Sequence, residues 1–188
     1  MRKLFRAIYQ SEVICSLLLL TSLIFALDFM YKDNPIDYSL SQIGRLFWRD
    51  YLLWGLFTGL AILFNVNRLY NRTGYSSKIG KFLLHLSLIM LFFTVINITL
   101  EPILYYTHVV TSIAFAVLSF APIMMCLVST SFKSFRYFIL TFLLLIMAVI
   151  DVYYITIYSH MALFQTIPLV ACYIVLFLCN FTQSFKLN

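Results

Sequence analysis

Apolar residues gather in six long stretches, roughly Val13 to Met30, Tyr51 to Val66, Phe82 to Thr99, Ile103 to Val128, Tyr137 to Tyr158 and Leu163 to Phe181. Most approach the ~20 residues that a helix needs to cross ~30 Å of hydrocarbon. The short second stretch can take its first turn from Leu46, Phe47 and Trp48. The pattern predicts an all-α, polytopic six-helix transmembrane bundle, with residues 1–188 forming one transmembrane domain. Six spans of about 20 residues leave only short connections and two tails. No separate soluble domain fits between them.

The polar gaps between stretches set an orientation. Arg2, Lys3 and Arg6 precede the first stretch, Arg68, Arg72, Lys78 and Lys81 follow the second, Lys133 and Arg136 follow the fourth, and Lys186 ends the chain. These ten lie on one side, against Lys32, Arg45 and Arg49 on the other. The positive-inside rule then predicts both termini in the cytoplasm of a multi-pass cell-membrane protein. The acids give a separate asymmetry. Asp28, Asp33, Asp37, Asp50, Glu101 and Asp151 fall outside or in the outer half, and only Glu12 is inner.

Composition agrees with the pattern: 63% of residues are hydrophobic and 11% charged, and the mean hydropathy is +0.95. An ordinary soluble domain is excluded. The net charge of +6 is mostly juxtamembrane charge, which attracts anionic headgroups, so membrane lipids are the expected partners. Nucleic acid is excluded, because no folded surface domain exists to carry a basic patch. The basic start followed by Val13–Leu27 reads as the first transmembrane helix and not a signal peptide, since no small-x-small cleavage site follows closely. Cys15, Cys126, Cys172 and Cys179 all lie in apolar stretches without metal-ligand spacing and read as packing residues.

The connections differ by side. Asn67–Lys81 reads as a polar, basic inner turn of Asn, Gly and Ser, and residues 31–50 form the long outer loop. Asp33-Asn34-Pro35 signals a turn. Leu40, Ile43 and Phe47 then recur at helical steps while Ser41, Arg45 and Arg49 fall largely elsewhere on the wheel, so this half of the loop can lie in the interface plane as a short helix. Trp48 and Trp54 suit the aromatic belt.

Polar residues within spans must face the bundle or a water-filled cavity. Ser87, Thr94, Asn97 and Glu101 line one face of the third span, and His108, Ser112, Phe115 and Ser119, with Thr111 beside them, line one face of the fourth. In the second span Gly55 and Gly59 have the small-xxx-small spacing that lets helix backbones approach closely. Ligand-binding candidates gather near one depth on the outer side: His108, Asp151, Glu101 and Asp28, with His160 in the following turn. They can bind a polar headgroup, exchange protons, ligate a metal, or serve as ordinary interfacial residues. Asp151 is the most telling, because it interrupts an apolar run and would cost ~2.5–3.5 kcal/mol at the bilayer centre. His108 and Asp151 lie on neighbouring antiparallel spans, so a shared outer pocket is expected. His85, in the inner half, reads as a satisfied interfacial histidine.

Motifs of soluble enzymes are missing. The chain has no HExxH, HxxxH, GxSxG or GxGxxG, and the Gly74–Phe82 segment departs from a P-loop in both spacing and the residue after its lysine. The three glycosylation triplets are cytoplasmic or membrane-embedded in this topology. No cofactor is signalled.

Ser39-Leu40-Ser41-Gln42-Ile43-Gly44 in the outer loop, followed by His108 near the outer start of the fourth span, resembles the pattern of bacterial six-helix proteins related to the Frag/DRAM/Sfk group. The resemblance implies the same topology over the whole chain and a role in lipid organisation, and it assigns no catalytic residue. It also implies that the loop around Ser41 and Gly44 folds toward His108. Together these readings lead to a bundle whose polar outer pocket binds or senses a lipid or small amphiphile. The rival is an intramembrane metal-dependent lipid hydrolase resembling the alkaline ceramidases, with His108, His160 and Asp151 as ligands, for which three histidines in all are few. A third class is a packing or assembly subunit acting through Gly55 and Gly59.

Overall fold

The structure, a computed structural model, describes residues 2–34, 37–97, 102–157 and 162–185. These residues form eight α-helices and one 3₁₀ turn, with no strand among the described residues. In chain order they are α1 (Arg2–Gln10), α2 (Glu12–Lys32), α3 (Leu40–Leu46), α4 (Trp48–Thr73), α5 (Lys78–Asn97), α6 (Pro102–Ser131), α7 (Phe135–Ile157) and α8 (Ala162–Phe181), followed by the turn Gln183–Phe185.

Local chemistry sets the breaks. Ser11 divides α1 from α2 because its Oγ accepts a bond from the Ile14 amide at 3.4 Å, and Glu12 follows in the positive first turn of α2. Ser39 and Gln42 form a reciprocal capping box that starts α3. Gly74, at φ 67°, adopts the left-handed conformation that ends α4.

Two expectations are corrected here. The basic stretch Asn67–Lys81 is largely helical: α4 continues through Thr73 and α5 begins at Lys78, leaving four non-helical residues, Gly74 to Ser77. The extension forms because Arg68, Leu69, Tyr70 and Thr73 are buried against neighbouring helices. The N-terminal tail is likewise a helix, α1, docked on α2 and α4. In the connection between α2 and α4 the amphipathic half is helical as α3, with Leu40, Ile43 and Gly44 buried. Phe47 ends that helix and is partly exposed.

Five helices contain stretches long and apolar enough to cross a membrane: Glu12–Phe29, Trp48–Thr73, Lys78–Asn97, Tyr106–Ser131 and Phe135–Tyr154. The apolar part of α8, Gln165–Phe181, is shorter. Polar side chains share the buried core with apolar ones, while many apolar side chains face outward. Ser22, Thr58, Asn65, Ser87 and Asn180 are fully buried, while Val13, Phe92, Val117 and Val149 are at least 60% exposed. Apolar outer faces around a polar-bearing interior suit hydrocarbon as solvent. The chain is a multi-pass membrane protein.

The large helices close a ring, α2–α4–α5–α6–α7–α8 and back to α2, and α4 also touches α6 and α8. It is the hub. Two-thirds of its span, 67%, is buried, against 22–39% for the other four. Side chains tie it laterally: the Ser22 hydroxyl of α2 bonds both Thr58 of α4 (2.8 Å) and Tyr173 of α8. One level away, Asn65 donates to the Cys15 carbonyl of α2 at 3.0 Å, and Asn180 of α8 donates to the Asn65 carbonyl at 2.9 Å.

Gly55 and Gly59 pack α4 onto α5 within the chain. A methyl group on Gly55 would meet Val95 Cγ2 at 2.5 Å, and one on Gly59 would meet Leu91 at 3.3 Å. Gly55→Ala is therefore expected to lower unfolding stability in detergent by about 1–3 kcal/mol through overpacking, and adding Val95→Ala is expected to recover most of it. A Gly55→Ala protein as stable as the parent, or a double variant less stable than either single one, would contradict this packing.

Candidate functional site

At the end of the bundle bearing most of the lysines and arginines, two residues one turn apart on α4 cover the ends of other helices. Arg68, 8% exposed, donates to the Gln10 carbonyl at 2.7 Å and the Tyr9 carbonyl at 3.5 Å, the last carbonyls of α1. It also pairs with Glu12 at 2.5 Å and lies over the Phe181 ring at 5.2 Å. Arg72 donates to the carbonyls of Asn180 and Thr182 at the end of α8. Arg136 and the Tyr137 hydroxyl donate to Ser184 and Phe185 just beyond. C-terminal carbonyls lack intrahelical donors and carry partial negative charge, so cationic donors there are doubly favourable. These arginines are structural capping groups. Counting them as loop charge hides that role, although the i, i+4 spacing of Arg68 and Arg72, in step with Asn65, is a readable sign of a continuing helix.

The opposite end holds the candidates singled out by sequence, and the described ones have different partners. Asp28 pairs with Lys32 one turn later at 2.9 Å, and the same ammonium bonds Asp50 at the start of α4. Lys32 also sits over the rings of Phe29 and Phe47, 5.4 and 5.3 Å from their centroids. Asp28 is thus engaged in joining α2 to α4. Glu101 and His160 lie outside the described residues.

His108 is buried, and its Nδ1 lies 2.8 Å from the Thr94 carbonyl of α5. A carbonyl only accepts, so Nδ1 carries the proton, and a neutral ring presents Nε2 as an acceptor. The surrounding hydroxyls are mostly self-satisfied: Ser87 and Thr94 on α5, and Thr111, Ser112 and Ser119 on α6, all donate to carbonyls of their own helices. Of the two stripes, Asn97 keeps a buried Nδ2 with no hydrogen-bond partner among the described residues. The short helix α3 packs on α2, α4 and α8, with the Leu40 amide on Gln165 Oε1 at 3.0 Å and the Tyr38 carbonyl on the Ala162 amide at 2.9 Å. Arg45 of α3 comes within electrostatic reach of His108.

Asp151 belongs to another seam. It lies six residues before the end of α7, within electrostatic reach of Cys172 on α8. Its Oδ1 is buried and has no hydrogen-bond partner among the described residues. No group of three or more His, Cys, Asp or Glu suited to a metal ion occurs among the described residues. His85 is satisfied by the Lys81 carbonyl at 2.6 Å.

No family model, curated protein or solved structure matches the chain.

His108 turns toward α5 and Asp151 toward α8, so the two are expected to act independently. In a double-mutant cycle of His108→Ala and Asp151→Asn, stability effects should add within about 0.5 kcal/mol. A coupling well above that would restore the shared pocket anticipated from sequence.

Proposed function

We propose that the chain spans the cell membrane six times with both termini cytoplasmic, and that a polar pocket reached from the outer leaflet, centred on Asp151, binds a lipid or small amphiphile. The sixth span is α8. Its 20 residues measure about 30 Å, enough for the hydrocarbon core, and it lies between α7 and α2 in the ring. The ten-to-three division of Lys and Arg supports the orientation.

The observation that carries the binding reading is the buried Oδ1 of Asp151, which has no hydrogen-bond partner among the described residues. An unsatisfied carboxylate oxygen is costly in an apolar surrounding, and a ligand bearing a donor removes that cost. Asp151 lies about 9 Å along the helix axis from the end of α7, a depth that a headgroup reaches while its chain stays in hydrocarbon. Val149, Val152 and Tyr153, all more than 60% exposed on α7, offer apolar surface beside it. The preferred headgroup is an amine, because a cationic donor pairs with the carboxylate as well as bonding to it. His108 and Asp28 have partners of their own, so Asp151 is the residue whose loss matters most.

Dodecylamine is expected to raise the melting temperature of the purified protein by several degrees, lauric acid to have no such effect, and Asp151→Asn to abolish the amine response. An equal response of wild type and Asp151→Asn, or a response to the fatty acid, would reject the site. Topology is checked separately by impermeant thiol labelling of single cysteines in a background lacking the native four. Asn34→Cys should react from outside, and Ser77→Cys and Ser184→Cys only after the membrane is opened. Outside labelling of Ser184→Cys would mean that α8 does not span.

A further inference from the structure

A cleft of about 240 Å³ opens at the basic end of the bundle, remote from Asp151, where α1, α4 and the start of α5 meet. Its walls are Tyr9 of α1, Asn67, Tyr70 and Asn71 of α4, Tyr75 of the connecting turn, and Lys81 of α5, with Gly74 at the rim. We infer that this cleft binds the zwitterionic headgroup of a phospholipid from the inner leaflet, with the phosphate at Lys81 and the ammonium against the tyrosine rings.

The two halves of the cleft have opposite character. One half is electron-rich. Half-buried Tyr9 and Tyr75 line it, and the buried Tyr70 stands edge to face with Tyr75, 4.9 Å between centroids, and supports that ring. Ring faces attract a desolvated cation. The Tyr70 hydroxyl is engaged with the Pro122 carbonyl at 3.0 Å, which fixes the ring. Asn67 spends its amide on the Leu63 carbonyl at 2.7 Å, which leaves its Oδ1 as an acceptor. The C-terminal end of α4, closed by Gly74, adds partial negative charge to the same wall. No carboxylate lines the cleft, and the nearby Glu12 is paired with Arg68. The electron-rich wall thus suits an ammonium whose own phosphate supplies the counter-charge.

The other half is cationic. Lys81 is exposed and makes no ion pair among the described residues, and Lys78 lies one turn before it. A full positive charge on Lys81 outweighs the half-charge of the α4 end for a phosphate held beside it. A purely anionic headgroup would meet only the lysine and would be disfavoured by the opposite wall. A purely cationic one would meet only the rings. The zwitterion satisfies both.

The lipid source, as opposed to a soluble phosphoethanolamine, follows from the flanks. Phe82, the residue after Lys81 on α5, is 65% exposed and gives an acyl chain a surface to follow.

Native mass spectrometry of the protein released from nanodiscs containing equal phosphatidylethanolamine and phosphatidylglycerol tests the inference. Wild type is expected to retain the ethanolamine lipid about tenfold over the glycerol lipid. Lys81→Met should abolish that preference while leaving the melting temperature unchanged, Tyr75→Leu should abolish it with some loss of melting temperature from the broken ring contact with Tyr70, and Tyr75→Phe, which keeps the ring face, should retain both. Preference for phosphatidylglycerol, or a wild-type pattern in Lys81→Met or Tyr75→Leu, would overturn the inference. Free phosphoethanolamine competing as well as the lipid would overturn the assignment to a membrane source. The Asp151 variants are expected to behave as wild type here, so failure at one site leaves the other intact.

Discussion

In hydrocarbon no solvent donor reaches a bare carbonyl, so polar groups must find partners inside the protein. This requirement organises the bundle around α4. Its side chains Thr58, Asn65, Arg68 and Arg72 reach outward in order along the helix. They meet a hydroxyl of α2, a carbonyl of α2, the end of α1 and the end of α8. Packing by Gly55 and Gly59 against α5 completes the contacts. Between apolar helices in lipid there is little hydrophobic drive to associate, so close packing and buried hydrogen bonds carry the assembly. Burial of α4 far beyond that of the other spans is the consequence.

The same requirement sorts the polar residues by role. Hydroxyls bonded to their own helix, as Thr94 and Thr111 are, need nothing from a ligand. His108 is tied to α5, and Asp28 is tied through Lys32 to α4. Asp151 is different because its carboxylate sits in an apolar helix with one oxygen shielded and without a partner among the described residues. That contrast, and not the presence of a polar atom in a span, separates a binding candidate from a structural group.

The apolar stretches were plain in the sequence because span length and hydropathy are properties of contiguous residues. The amphipathic steps of Leu40 and Ile43 likewise announced α3. Helix ends were harder to read. Asn67 to Thr73 looks like a polar turn in one dimension, and only the carbonyls of α1 and α8, distant in sequence, give Arg68 and Arg72 partners on a continuing helix. The candidate site was legible as a depth but not as a location. Asp151 stood out from its apolar neighbours, yet linear spacing could not tell that its seam faces α8 while His108 turns to α5. The aromatic cleft at the basic end escaped notice because Tyr9, Tyr70, Tyr75 and Lys81 come from four separate elements.

Through its side chains α4 holds the ends of its neighbours, and Arg72 isolates that grip at the end of α8. Hydrogen exchange of the protein in detergent, wild type against Arg72→Met, reads the effect directly. A hydrogen bond to a charged group contributes about 1.5–3 kcal/mol, so amides from Leu178 to Phe185 should exchange about ten- to hundredfold faster in the variant, with α5 and α6 unchanged. Unaltered exchange in that segment, or a uniform rise through the whole bundle, would contradict it.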